Sequence, residues 1–234
     1  MKRPLRLLSA LAVLLPLLAA PLSAQPEPGY ERQWKHFGAA VFLGGGLQLP
    51  AGGDLDGKSV VRVNPGDTSS TQGDFLDAEP HAGPSVSAGV GARMDGNRVF
   101  AAVEWNSFST EHKLLAKEVD AERWRISLDW RHDFRQEEPW RPEAGFGAHF
   151  ALVDVDGSFL PKSGAPRDAR LSGTGFHVDC GVGWWFRERV AIVAEAEYSF
   201  DASRNIGLGD EGFRLDGYLV EHRFALNLQA WALF

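Results

Sequence analysis

Cysteine is nearly absent from this 234-residue sequence, in which Cys180 is the single example. One cysteine cannot form an internal disulfide framework, and it excludes a zinc site built from several cysteines. Basic residues are also scarce, since 24 Lys and Arg stand against 31 Asp and Glu and form no cluster. Phosphate binding requires a positive surface, so we expect no nucleic-acid partner.

Long apolar runs are confined to the N-terminus. Three basic residues precede an uncharged, Leu/Ala-rich stretch from Leu7 to Ala20, and Leu22-Ser23-Ala24 has the form of a cleavage site. This arrangement predicts a secretory signal peptide at residues 1–24 and a mature domain at residues 25–234. No later segment has 18 consecutive apolar residues, so we expect no transmembrane helix in the mature chain.

The strongest pattern in the mature chain is an alternation of apolar and polar residues, which is clearest between Ala121 and Phe134. Trp124, Ile126, Leu128 and Trp130 share one face of an extended strand, while the residues between them are mostly charged. On a helix the same apolar residues would be scattered around the whole circumference. The pattern therefore predicts a β-strand with two different faces.

Similar alternation recurs along the chain and indicates eight strands. They are expected at Phe37–Leu49, Gly83–Met94, Val99–Asn106, Ala121–Phe134, Trp140–Asp154, Leu171–Phe186, Val190–Phe200 and Glu221–Phe234. An even number of two-faced strands predicts an all-β fold, an eight-stranded antiparallel up-and-down transmembrane β-barrel.

The connections between these strands fall into two classes. Short ones are expected at residues 95–97, 135–139 and 187–189, where Asp95-Gly96 is a strong hairpin signature. Long loops are expected at about residues 50–80, 109–120, 155–170 and 201–213, which are rich in Gly, Pro, Asp and Ser. Short and long connections alternate, so all the tight turns should lie at one end of the barrel and all the long loops at the other.

The signal peptide, the eight strands, the turn asymmetry and the terminal Phe234 together resemble the small eight-stranded outer-membrane β-barrel superfamily, the class of the OmpA transmembrane domain, OmpX and OmpW. The resemblance covers the whole mature chain and is one of pattern, without a diagnostic motif. It implies a Gram-negative outer-membrane protein whose partners are outer-membrane lipids and the barrel-assembly machinery. In this class the last strand carries an assembly signal, to which Leu228, Ala230, Ala232 and Phe234 correspond.

With the apolar faces toward lipid, the opposite faces line a narrow lumen that is just wide enough for side chains. The charged residues expected there are Glu104, Arg123, Arg125, Asp129, Arg131, Glu195, Glu197, Glu221 and Arg223. Unpaired charges in such a space are costly, so the mixture of signs predicts a network of ion pairs. Aromatic residues near strand ends are expected to form interfacial girdles; they are Trp34, Phe108, Trp140, Trp185, Phe213 and Tyr218.

Function is predicted to be structural, or to involve surface interactions through long extracellular loops with an unidentified ligand. Alternatives are a small OmpW-like channel for ions or small hydrophobic solutes, a lipid A-modifying enzyme, and a soluble periplasmic ligand-binding barrel. Against the enzyme, no histidine is followed two residues later by serine, the pattern of the lipid A deacylases. His149, His177 and Asp179 could form a buried catalytic or metal group, but satisfied core histidines are commoner. We therefore assign no catalytic residue, cofactor or metal site.

Overall fold

The computed structural model of the chain describes residues 37–53, 59–61, 72–75, 78–112, 117–136, 138–161, 167–186, 189–208 and 211–234. The predicted signal peptide at residues 1–24 lies outside these residues. Within the described ranges, no helix is long and apolar enough to cross a membrane.

Eleven strands make up the described structure. They are β1 (Phe37–Gly53), β2 (Ser59–Val61), β3 (Gln72–Phe75), β4 (Ala78–Pro80), β5 (Gly83–Met94), β6 (Asn97–His112), β7 (Lys117–Asp133), β8 (Trp140–Pro161), β9 (Arg167–Phe186), β10 (Val190–Leu208) and β11 (Glu211–Leu233).

Eight of these strands close into an antiparallel barrel. Strand β1 pairs with both β5 and β11, each following strand pairs with the next, and the pairing of β8 with β9 completes the ring. The short strands β2 to β4 lie in the connection between β1 and β5, where β3 pairs with β8 and β4 pairs with β6. The prediction of an eight-stranded antiparallel barrel is confirmed.

The tight turns lie at one end of the barrel, which we call the turn end; the opposite end is the loop end. At the turn end, Asp95 and Gly96 have φ angles of 46° and 79°. These left-handed values suit a two-residue hairpin, because such turns match the twist of the flanking strands.

Three of the four predicted long loops are wrong. Strand β6 continues to His112 and β7 begins at Lys117, so most of residues 109–120 are in strands. Likewise β8 and β9 leave only residues 162–166 between them, and β10 and β11 leave only residues 209–210. Polar and glycine-rich sequence suggested loops, but antiparallel pairing with a neighbouring strand satisfies the backbone whatever the side chains are.

The two faces of each strand have opposite chemistry through the middle of the barrel. Ile126 and Leu128 point outward and are 59% and 62% exposed, whereas the intervening Ser127 is buried. A soluble barrel would place the apolar side chains inside. The exposed apolar outer face is instead that of a barrel surrounded by hydrocarbon.

Candidate functional site: the lumen

An aromatic layer fills the lumen near the turn end. The ring of Trp231 stacks on Phe42 with centroids 4.6 Å apart, and it meets Phe100 edge to face at 5.1 Å. All three rings are buried, as is Trp185, which points inward from the end of β9. Offset stacking and edge-to-face contacts are the favoured geometries of aromatic pairs. These rings therefore form an aromatic layer inside the barrel at this level.

Arg98 connects the aromatic layer to the polar residues around it. Its Nη2 lies 2.6 Å from Asp133 and 2.5 Å from Glu143, and all three side chains are completely buried. The guanidinium group also lies 4.3 Å from the Trp231 ring centroid. A cation over the face of tryptophan is attracted by the ring quadrupole, so Arg98 is held by charge and by aromatic contact together.

Arg131 is the hub of the next layer toward the loop end. Its guanidinium lies 3.1 Å from Asp179 and 3.5 Å from Glu143, pairs with Glu195, and donates to Gln229 at 2.9 Å. The carboxylate oxygens of Glu143, Asp179 and Glu195 lie within 4.8 Å of one another. Like charges at this spacing repel strongly in a buried site. Arg131, together with Arg98, supplies the compensating positive charge.

Arg125 forms the centre of a second ion-pair group. It donates to Glu104 at 3.0 Å and to Glu197 at 2.8 Å, and Gln48 of β1 also donates to Glu104. Two hydrogen bonds join Arg125 to Glu197. Such bidentate pairing fixes orientation as well as charge.

Arg123 and Arg223 lie closer to the loop end. Arg123 pairs with Asp201 at 2.5 Å, and Arg223 pairs with Glu221 at 2.6 Å. The structure therefore provides a neutralising partner for each of the buried arginines considered so far.

Two buried histidines connect the carboxylates of Asp201 and Asp129. Nδ1 of His149 lies 3.2 Å from Nδ1 of His177, and His149 Nε2 lies 2.5 Å from Asp201. His177 Nε2 contacts Asp129, which also accepts a hydrogen bond from Ser127 at 2.6 Å. The four side chains form a continuous chain across β7, β9, β8 and β10.

An apolar cluster lies inside the barrel at the loop end. Its inward-facing members are Phe108, Val119, Ala121, Val153, Val155, Ala169, Leu171, Ile206 and Leu219. The outward-facing neighbours of these residues include Glu118, Asp120 and Asp168, which are exposed. The chemistry of the two faces is thus reversed relative to the middle of the barrel.

The structure places all nine charged residues that the sequence assigned to the lumen inside the barrel. It brings most of them into pairs and adds Glu143, Asp179 and Asp201 as their partners, while Arg98 and Asp133 form a further pair. Glu143 and Asp201 occupy inward positions of β8 and β10, so extending the alternation along each strand would have found them. The sequence pattern does not indicate which residues meet across the lumen.

The predicted aromatic girdle is only partly correct. Trp140 is 55% exposed and stacks on Trp184 at 5.3 Å, and Tyr218 is also exposed. Phe108 and Trp185, however, point into the lumen and are buried. Both occupy inward-facing positions in the alternation of their strands. That position determines their environment, although both lie near a strand end. Trp34 and the side chain of Phe213 lie outside the described part of the chain.

The residues assigned to the assembly signal lie on the outer face of β11. Leu228 is 59% exposed and Ala230 is also exposed, while Ala232 and Phe234 are half-buried. The backbone of Phe234 exchanges hydrogen bonds of 3.1 and 2.9 Å with Ala39 of β1. The last residue is therefore part of the seam where β1 pairs with β11 and closes the barrel.

A closed eight-stranded barrel with an apolar outer belt and an ion-paired interior is the fold of the small outer-membrane β-barrels. No protein-family model matches the sequence, and no curated protein matches it either. Among solved structures, the outer membrane protein OprG from Pseudomonas aeruginosa has a TM-score of 0.53 and 13% identity, covering 84% of this chain and 96% of OprG.

Two other barrels are similar at lower TM-scores. Neisserial surface protein A (NspA) has a TM-score of 0.46 and 16% identity, covering 85% of this chain and 97% of NspA. The outer membrane protease OmpT from Escherichia coli has a TM-score of 0.42 and 8% identity, covering 86% of this chain and 97% of OmpT. At these identities the likeness extends to the fold and carries no activity.

Proposed function

We propose that this chain is an integral outer-membrane protein with a closed lumen, which acts as a membrane scaffold that displays its loop end at the cell surface. The observation that carries the proposal is the combination of an exposed apolar belt with an interior in which buried aromatic, ion-paired and apolar side chains follow one another along the described strands. Lipid is the solvent that such a belt requires, because exposed apolar surface of this extent is unfavourable in water.

The limits of the belt support a location in the membrane with the loop end projecting from it. On β7, outward Trp124, Ile126 and Leu128 are apolar, but Glu118 and Asp120 nearer the loop end are acidic and exposed. Charged side chains on the lipid face are costly near the bilayer centre and tolerated beyond its surface. The reversal near Glu122 accordingly marks the level at which β7 leaves the membrane.

The buried side chains along the lumen favour a scaffold over an open channel. The aromatic layer, the ion-paired middle and the apolar cluster succeed one another along the lumen. An eight-stranded barrel has an interior that its own side chains can fill. Ions would have to displace paired arginines and carboxylates, so we assign the network a stabilising role.

Surface interaction is the role we propose for the loop end. The connection between β1 and β5 folds back onto the barrel, with β3 pairing with residues 159–161 of β8. Rigid barrels commonly carry variable binding functions on such segments. We further propose that Leu228 to Phe234 are read by the barrel-assembly machinery, and we assign no reaction to the chain.

Two measurements on one preparation test the proposal. Cells expressing the chain are fractionated, outer membranes are run on gels with and without boiling, and the purified protein is then inserted into planar bilayers. We expect a heat-dependent mobility shift in the outer-membrane fraction and no stepwise conductance. Recovery from the soluble periplasm would contradict the membrane location, and regular conductance steps would contradict the closed lumen.

A passage for small apolar solutes is the second candidate, which the apolar cluster at the loop end favours. Phe108 and Leu171 are buried there among other apolar side chains, where an apolar solute could replace them. Uptake of a fluorescent apolar probe into vesicles should rise when Phe108→Ala widens this layer. Equal uptake by protein-free vesicles and by vesicles containing either protein would exclude the passage.

A further inference from the structure

The side chains of Asp129, His177, His149 and Asp201 form a chain of contacts that needs one more proton than they carry when both aspartates are ionised and both histidines are neutral. It contains three consecutive contacts of hydrogen-bond type, one at each carboxylate and one between the two imidazoles. Each hydrogen bond needs one proton. Two ionised carboxylates and two neutral imidazoles hold only two protons between them, because a neutral imidazole carries its proton on one nitrogen.

We propose that the lumen contains a binding site for one additional proton, shared along this four-residue chain. With both Nε2 protons donated to the aspartates, the two facing Nδ1 atoms need a third proton between them. Without it, two lone pairs would face each other at 3.2 Å. The count is the same whether the extra proton lies nearer to His149 or nearer to His177.

The ring geometry favours a proton over a metal ion. The imidazole centroids are 5.5 Å apart, which exceeds the Nδ1–Nδ1 distance by 2.3 Å. A five-membered ring with bonds of about 1.33 Å has a radius of about 1.1 Å, so the nitrogens lie nearly on the line between the centroids. A zinc ion binds along the lone pair of each nitrogen, which here points along that line. It would therefore hold the nitrogens about 4 Å apart, since each Zn–N bond is about 2.0–2.1 Å.

The neighbouring strands hold both rings in this position. Gly147 of β8 pairs with His177, and Gly175 of β9 pairs with His149. A Cβ atom at either glycine would collide with the ring opposite. Each imidazole consequently occupies the space that a larger residue on the adjacent strand would fill.

Charged groups on all sides act on the site. From β7, Arg123 and Arg125 repel an added proton, while Asp129 attracts it. Glu197 and Asp201 of β10 are negative, as are Asp179 of β9 and Glu104 of β6; Arg223 of β11 is positive. Among the described side chains buried in the barrel, nine carboxylates face six arginines; this excess of negative charge favours an extra proton, whereas the burial of the site opposes it.

The bound proton would stabilise the contacts among four strands. While it is bound, hydrogen bonds join β7, β9, β8 and β10 on one wall of the barrel. When it is lost, the central contact becomes repulsive. The unfolding equilibrium constant should then rise about tenfold per pH unit across the range in which the folded barrel holds one more proton than the unfolded chain.

Nuclear magnetic resonance of the full chain in detergent micelles, labelled with ¹⁵N-histidine, tests the proposal directly. We expect protons on Nε2 of both His149 and His177, and a scalar coupling between their Nδ1 nuclei through the shared proton. The coupling should disappear on raising the pH. Its absence at every pH at which the barrel is folded would overturn the proposal.

Matched variants give an independent readout from urea unfolding in micelles. His177→Gln and His149→Gln should each flatten the pH dependence of the unfolding constant, whereas His222→Gln, whose ring meets Tyr198 at the outer face, should leave it unchanged. An equal slope in all four proteins would overturn the proposal. Adding Zn²⁺ to wild type provides the last check, since binding of one ion that His177→Gln abolishes would assign the site to a metal instead.

Discussion

Removing the charge of Arg131 should be one of the most damaging single changes in the lumen. This side chain is 3% exposed and meets three carboxylates and Gln229. Arg131→Met keeps most of the stem but leaves Asp179 and Glu195 without their arginine. Breaking a buried ion pair by removing one partner costs about 3–5 kcal/mol, because the remaining charge is uncompensated.

The expected loss of unfolding free energy stays within that range, although Arg131 meets three carboxylates, because two of them keep other partners. Glu143 keeps Arg98 at 2.5 Å, and Glu195 keeps hydrogen bonds from Asn227 and Gln229, each at 3.2 Å. Asp179 has the least compensation left. We therefore expect the unfolding free energy of Arg131→Met to be about 3–5 kcal/mol lower than that of wild type.

The assay is reversible urea unfolding in lipid vesicles, followed by tryptophan fluorescence. Arg170→Met is the control, because Arg170 also pairs with an aspartate, at 2.6 Å, but is 65% exposed. Exposed pairs contribute less than about 1 kcal/mol. Neutralising the orphaned acids as well, in Arg131→Met/Asp179→Asn/Glu195→Gln, should recover most of the loss. A loss below about 1 kcal/mol for Arg131→Met would refute the reasoning that this arginine compensates buried charge.

Four further changes test other parts of the barrel. Ile126→Lys places a charge on the apolar belt and should lower the unfolding free energy by about 2–4 kcal/mol if this position lies near the bilayer centre. Gly147→Ala should displace the His177 ring, seen as shifted ¹⁵N resonances. Trp231→Ala leaves a gap in the aromatic layer and should cost about 3–5 kcal/mol in the same urea assay. Deleting Phe234 should reduce the heat-modifiable fraction recovered from outer membranes.

Period-two alternation was sufficient to predict the strand faces of this barrel. Arg125 and Ile126 have opposite environments because successive side chains of a strand point to opposite sides. The partners within the lumen could not be predicted in the same way. Arg123 meets Asp201 from 78 positions away, and that contact depends on barrel closure and on which strands face each other across the lumen. The alternation along a strand indicates neither how the barrel closes nor which strands face each other.

The mistaken loops have a physical cause, which is a reversal of the two strand faces toward the loop end. Along β7, inward residues change from Val119 and Ala121 to Arg123, while outward residues change from Asp120 to Trp124. Pairing with β6 is regular throughout, so no bulge produces the change. The reversal is instead what the proposed membrane location requires: where the barrel is surrounded by water, the apolar side chains turn inward, and where it is surrounded by hydrocarbon, they turn outward. A break in the phase of an alternating pattern thus indicates one strand that crosses between two solvents.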